Sequence, residues 1–255
     1  MSLLNKFITL LFTLSLFLSA AFVHSETLKP FTNQNQQIAK IKQALFELLG
    51  KETKVTIEPY NNDFYLVIAN NQQFFSSSDG KYLYLGQVID TQSKINITEA
   101  AQKLQRLSLL NELPRDVLLS YKAKQQKHLI TVFTDIDCPF CRKLHQSIDI
   151  LNQQGVTIDY VMIPRGVKGS AAFNKTAAAL CAKRPQFAMN SAMYSGKYEG
   201  EITENCNQQL QAQQKIAAQF GFTATPTILL ENGEAISGLI SPSDLVARLK
   251  TVQKG

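Results

Sequence analysis

Hydrophobic positions in "IAKIKQALFELLG" recur at helical spacing: Ile38, Ile41, Leu45, Leu48 and Leu49, with Gly50 placed to cap the C-terminus. The pattern then changes to period two. "KVTIEPY" and "NDFYLVIAN" read as strands, and Phe64, Leu66 and Ile68 share one face of the second. Asp79-Gly80 between "QQFFSS" and "KYLYLGQVI" signals a hairpin. Residues 26–96 therefore form a first unit, one helix followed by antiparallel strands. So small a unit buries little, and its strand edges call for cover by another chain. Thr98 is the candidate cap of a helix over "EAAQKLQRLSLLNEL", in which leucines recur every three residues and Pro114 limits the run. Residues 97–122 are read as a linker helix; the alternative is a helix packed into the next domain.

Residues 123–255 carry a different alternation. "HLITVFT" is a short apolar run expected as a buried strand, and "CRKLHQSIDILNQQ" follows as a helix. "VTIDYVMI" is a second strand, and the alanine-rich segment from Ser170 to Gly196 is helical. "NQQLQAQQKIAAQFG" is another helix, and "PTILLENGEAISG" a hairpin about Asn232-Gly233. A last helix has Ser241 as cap, Pro242 at its first position and Asp244 in its first turn. Strands alternating with helices indicate an α/β unit.

Composition changes this picture in two places. The formal net charge is +6, but no basic run interleaved with aromatics appears, so no nucleic-acid partner is expected. The first residues hold Lys6, an apolar run from Phe7 to Val23, and small residues ahead of Glu26. That is the pattern of a cleaved export signal over residues 1–25, with a retained N-terminal anchor as the alternative. Export places the chain where disulfides persist.

The four cysteines are Cys138, Cys141, Cys181 and Cys206. They allow three pairings; if Cys138 pairs with Cys141, Cys181 is left with Cys206. Cys138 falls where a strand gives way to a helix. Unpaired N–H groups and the helix dipole there favour a thiolate, the attacking species in disulfide exchange. Cys141, one turn on, is placed to displace it. Arg142 favours the thiolate, whereas Asp135 and Asp137 oppose it. A structural zinc would need about four ligands, which the scattered cysteines and histidines do not supply, so no metal is expected. His145 is read as a solvent-facing helix residue. Cys181 and Cys206 are read as a structural bridge rather than a second redox site.

The segments "KHLITVFTDIDCPFCRKLH", "GVTIDYVMIPRG", "LCAK" and "FGFTATPTILLENGEAISG" closely resemble the DsbC/DsbG family of periplasmic thiol:disulfide interchange proteins. The resemblance is strongest over residues 121–250. It implies an α+β, cystatin-like N-terminal dimerisation domain, a linker helix, and a C-terminal α/β thioredoxin-fold domain with a helical insertion. It implies a periplasmic homodimer with two sites facing an apolar cleft. It further implies a cis bond at Thr225-Pro226, with Thr225 offering its backbone to the substrate segment, and a second disulfide between Cys181 and Cys206. The implied activity is isomerisation and reduction of misoxidised exported proteins, with chaperone-like holding of clients. A membrane reductase of the DsbD type would renew the thiols, and no cofactor is needed. Reduction of sulfenylated cysteines and dithiol oxidation are the rival activities. Two features depart from the family: Pro139-Phe140 inside the motif, and an acid, Asp137, just before it. The buried acid of thioredoxin itself is replaced by Val132.

Overall fold

A computed structural model describes residues 32–51 and 53–252. The expected export signal lies outside the described residues. No helix among the described residues is long and apolar enough to cross a membrane.

The N-terminal unit is a four-stranded antiparallel sheet in sequential order, with helices on both faces. Helix α1 (Thr32–Leu49) is followed by β1 (Val55–Pro59), β2 (Phe64–Ala69), β3 (Gln72–Ser77) and β4 (Leu83–Tyr84). Ile41 and Leu45 of α1 pack onto Tyr65, Val67 and Ala69 of β2. Leu48 and Leu49, expected on the same face, are exposed, and the buried contact of α1 is carried by Ile41 and Leu45. The alternate residues Phe64 and Leu66 face the other way, against Phe75, Ile97 and Ala101. The β3–β4 turn uses Gly80 at φ +76, a conformation that an L side chain resists.

A short hairpin, β5 (Ile89–Asp90) with β6 (Ile95–Asn96), leads into α2 (Ile97–Asn111). Asn96, not Thr98, caps this helix: its side chain accepts the Glu99 N–H. Thr98 is buried and its hydroxyl accepts the N–H of Val88. The helix ends at Asn111, well before residue 122, since Pro114 cannot continue it. Leu119–Tyr121, expected within the linker, is instead a strand, β7, on the edge of the second sheet. Leu119 and Tyr121 point inward there and are buried.

The C-terminal sheet has the order β11-β10-β8-β9-β7. Its centre is the parallel pair β8 (His128–Thr134) and β9 (Val156–Met162); the other pairings are antiparallel. Both central strands carry the near-continuous apolar sequence expected of strands covered on two faces. Ile130, Val132, Ile158 and Tyr160 face one core, with residues of α3 (Pro139–His145), α4 (Ile148–Gln153), α5 (Ala171–Leu180), α6 (Pro185–Ser195) and α8 (Pro242–Thr251). Phe133 and Val161 face another, closed by α7 (Glu204–Phe220), by Leu110 of α2 and by Leu113 just beyond it. Strands β10 (Thr227–Leu229) and β11 (Ala235–Ser237) form the terminal hairpin. The helix expected to run on from the cysteine motif is broken at Gln146-Ser147, and the alanine-rich segment is two helices, not one.

Helix α2 touches both units. Beyond its apolar contacts, the buried Arg106 donates from Nε to the Gly233 carbonyl at 2.7 Å. Gly233 has φ +81, and a Cβ there would sit 2.6 Å from the Lys103 carbonyl, so glycine permits the close approach of hairpin and helix.

Candidate active site

Strand β8 ends at Thr134, and the chain turns through Asp135, Ile136 and Asp137 into α3. Cys138 is the N-cap of that helix, with extended backbone, and Pro139 occupies the first helical position, where no N–H is required. The turn is closed by the Cys138 N–H on the Asp135 carbonyl at 3.1 Å. The Asp137 N–H donates to Asp135 Oδ1 at 3.0 Å. Cys141 follows one turn later. Both thiols are free and buried, with Cys138 2 % exposed, while Phe140 between them is largely exposed. The nucleophile is thus less open to solvent than a surface helix start would make it.

The loop before β10 closes the site. The Thr225-Pro226 bond is cis, and Cys138 Sγ donates to the Thr225 carbonyl at 3.3 Å. Sequence positions almost ninety residues apart are brought into contact here.

The two thiols have been driven apart in acidity. Burial opposes ionisation of Cys138, but hydrogen bonds from the Cys141 and Phe140 N–H groups, the Thr225 hydroxyl and the Cys141 thiol outweigh it, and its pKa falls below the usual value. Burial dominates at Cys141 and pushes it up to about 11, against the help of the Thr134 hydroxyl and the Asp135 N–H. Such a split suits disulfide exchange, in which the thiolate is the attacking species.

Several neighbours were not visible in the sequence. Thr134 was read only as part of an apolar strand. His145, expected to face solvent, is 2 % exposed. Its Nδ1 accepts from the Tyr160 hydroxyl at 3.0 Å, and its Nε2–H donates to Asn190 Oδ1 at 3.0 Å. The Tyr121 hydroxyl donates to the same Asn190 oxygen at 2.9 Å. Burial lowers the His145 pKa to about 4, so the ring is neutral at physiological pH. After the break, Ile148 and Leu151 of α4 join the core, and His145 at the end of α3 is buried. Only the partners on β7, β9 and α6, which sequence spacing does not align, reveal that.

The acids conflict less than the sequence implies. Asp135 is buried, and burial first, then the Asp137 charge, raise its pKa. Its Oδ2 has no hydrogen-bond partner, although Arg165 Nε lies 3.1 Å away. Asp137 is paired with Lys175 of α5. Val132 is buried and apolar, as expected. Cys181 and Cys206 form a disulfide between the end of α5 and the first turn of α7, with their Cα atoms 5.5 Å apart. Among the described residues no group of three or more potential metal ligands occurs.

Two family models match the chain: a disulfide bond isomerase protein N-terminal domain over residues 32–99, and a thioredoxin-like domain over residues 116–253. The chain is similar to the thiol:disulfide interchange protein DsbC of Salmonella typhimurium, 31% identical over 218 residues, covering 85% of this chain and 88% of that one. It is 32% identical over 213 residues to DsbC of Dickeya dadantii, covering 83% and 86%. Among solved structures, a disulfide interchange protein from Neisseria gonorrhoeae aligns with 25% identity and TM-score 0.47, over 54% of this chain and 99% of that one.

Proposed function

The chain belongs to the DsbC family of thiol:disulfide interchange proteins, and from that membership we propose that it is a periplasmic protein disulfide isomerase and reductase acting as a homodimer. It is a thiol–disulfide oxidoreductase with a thioredoxin-like domain. The observation that carries the exchange chemistry is the geometry of the site: Cys138 caps a helix start beside the cis Thr225-Pro226 loop, with Cys141 one turn behind it.

Cys138 thiolate attacks one sulfur of a misplaced client disulfide. A Cys138–client disulfide forms, and the other client sulfur leaves as a thiolate, which can attack a different client disulfide and complete isomerisation. If it does not, Cys141 loses its proton and attacks Cys138 Sγ. The enzyme disulfide then forms, the client leaves as a thiol, and two electrons have passed to the client. A membrane reductase of the DsbD type returns them.

Thr225 and Pro226 would seat the client. An extended segment pairing with the Thr225 backbone lies beside Cys138, in the manner of an added strand. The Cys138–Thr225 contact closes the sulfur off, so client entry replaces that hydrogen bond. Exposed Phe140 offers an apolar contact. The N-terminal unit supplies the dimer interface, which leaves the catalytic domain free to hold a client.

Two experiments test the reading. A Cys141→Ala variant should accumulate client-linked protein on non-reducing gels. The parent protein should recover a scrambled multi-disulfide protein; a chain that reduces a sulfenylated cysteine but leaves the scrambled protein inactive is instead a sulfenic-acid reductase, the reading that Pro139 in the motif favours.

A further inference from the structure

An acid one residue before the nucleophile should repel the thiolate. The groups facing the Cys138 turn are Asp135 and Asp137 in the turn, Cys141 and Arg142 of α3, Arg165 after β9, and Lys175 of α5; the loop from Phe222 to Pro226 brings no charge. Arg165 lies against Asp135. The Arg142 guanidinium packs where a side chain on Gly196 would stand, and its Nε is buried without a partner. Lys175 makes the ion pair with Asp137 Oδ1. The same ammonium donates to the Gly196 carbonyl, the C-cap of α6, at 2.9 Å.

Lys175 is therefore held from two sides. Its side chain is 17% exposed and that of Asp137 35%, so water screens the pair only partly. Lys175 and Gly196 both belong to the helical insertion, whereas Asp137 stands in the turn that leads into the cysteine motif.

We propose that Lys175 is a positioning residue that acts through Asp137, neutralising that carboxylate and holding it toward α5 so that Cys138 keeps its ionised form. This rests on Cys138 being the attacking group in the function proposed above. The helical insertion thereby tunes the nucleophile, and Asp137 is tolerated before the motif because Lys175 is present.

The test uses the full reduced protein. The ionisation of Cys138 is followed by thiolate absorbance in the far ultraviolet and by the pH dependence of its alkylation. Lys175→Met should move the Cys138 titration upward by about half a unit or more, which slows alkylation about threefold at pH values below it. Lys175→Arg should titrate like the parent. The double variant Asp137→Asn with Lys175→Met should also return to the parent, since both charges are gone. A purely structural lysine would not give that restoration. The proposal is overturned if Lys175→Met titrates like the parent, or if the double variant stays displaced. Should Lys175→Met not fold, Lys175→Gln is read in the same way against its own double variant with Asp137→Asn: an upward shift that the double variant cancels supports the proposal, and a titration like the parent's overturns it. Alkylation needs no client, so a chain without isomerase activity still answers this question, while the scrambled-protein assay answers the other.

Discussion

Two cysteine pairs share one domain and meet opposite fates. Cys138 and Cys141 are three residues apart on one helix and are free; Cys181 and Cys206 are 25 residues apart on two helices and are joined. Burial does not separate them, since Cys138 and Cys206 are equally hidden at 2 %. Nor does a helix start: Cys206 lies in the first turn of α7, close to its cap Thr203. The partners differ. Cys206 meets Cys181 at the C-terminal end of α5, where the dipole disfavours a thiolate. Cys138 meets the Thr225 loop and the N–H groups of its own helix. A helix start therefore does not by itself keep a thiol free; the free thiol here also faces the Thr225 loop.

The largest effect expected from breaking this contrast is at Cys138. Cys138→Ala should reduce disulfide exchange to the uncatalysed background in the scrambled-protein assay, with the fold intact by circular dichroism. Client rescue at the parent level would instead make the protein chiefly a chaperone. The other pair should behave in the reverse way. Replacing Cys181 and Cys206 together by alanine should lower stability by about 3 kcal/mol, read from urea unfolding, because a closed loop of 25 residues no longer restricts the unfolded chain. Exchange per folded molecule should persist.

A pH experiment sharpens the contrast further, because the helix that carries Cys141 also carries the buried His145. His145 has a folded pKa of about 4 against an ordinary 6.5. The unfolded chain therefore takes up a proton that the fold refuses. The stability this group contributes is present above pH 6.5 and is lost as pH falls through that value toward about 4, by up to about 3 kcal/mol. His145→Gln should flatten the stability profile in that window while leaving the Cys181–Cys206 bridge untouched. An equally steep profile in the variant would place the titration elsewhere.

What the sequence could and could not disclose follows from the range of each interaction. Strand β8, the helix after the motif and the Ser241 cap depend on neighbours along the chain, and the local pattern specifies them. The two-unit plan was legible in the change of pattern along the chain, and the resemblance added the fold expected of each unit. Hidden features depend on distant partners. Leu119–Tyr121 is a strand because β9 has an open edge to fill. His145 is buried because Tyr160 and Asn190, 15 and 45 residues away, satisfy its ring. Lys175 pairs with Asp137, 38 residues away on another element, a contact that no local pattern shows.

The smallest expected effect is at Thr134, and it tests whether the two thiols are tuned separately. Its side chain is buried at the end of β8, and its hydroxyl donates to Cys141, opposing the burial that raises that thiol. Thr134→Val keeps the shape and removes the donor. Cys141 should then titrate a fraction of a unit higher, and the reduced protein should lose about 1 kcal/mol. Attack by Cys138 should keep its rate, because Thr134 is not among the groups that acidify it. Release should slow, because Cys141 must lose its proton before it can displace the client. Quenched-flow trapping would then find a longer-lived mixed disulfide at an unchanged rate of formation. If formation slows as much as release, the two sulfurs titrate as one unit, and the division of labour between attacker and resolver fails.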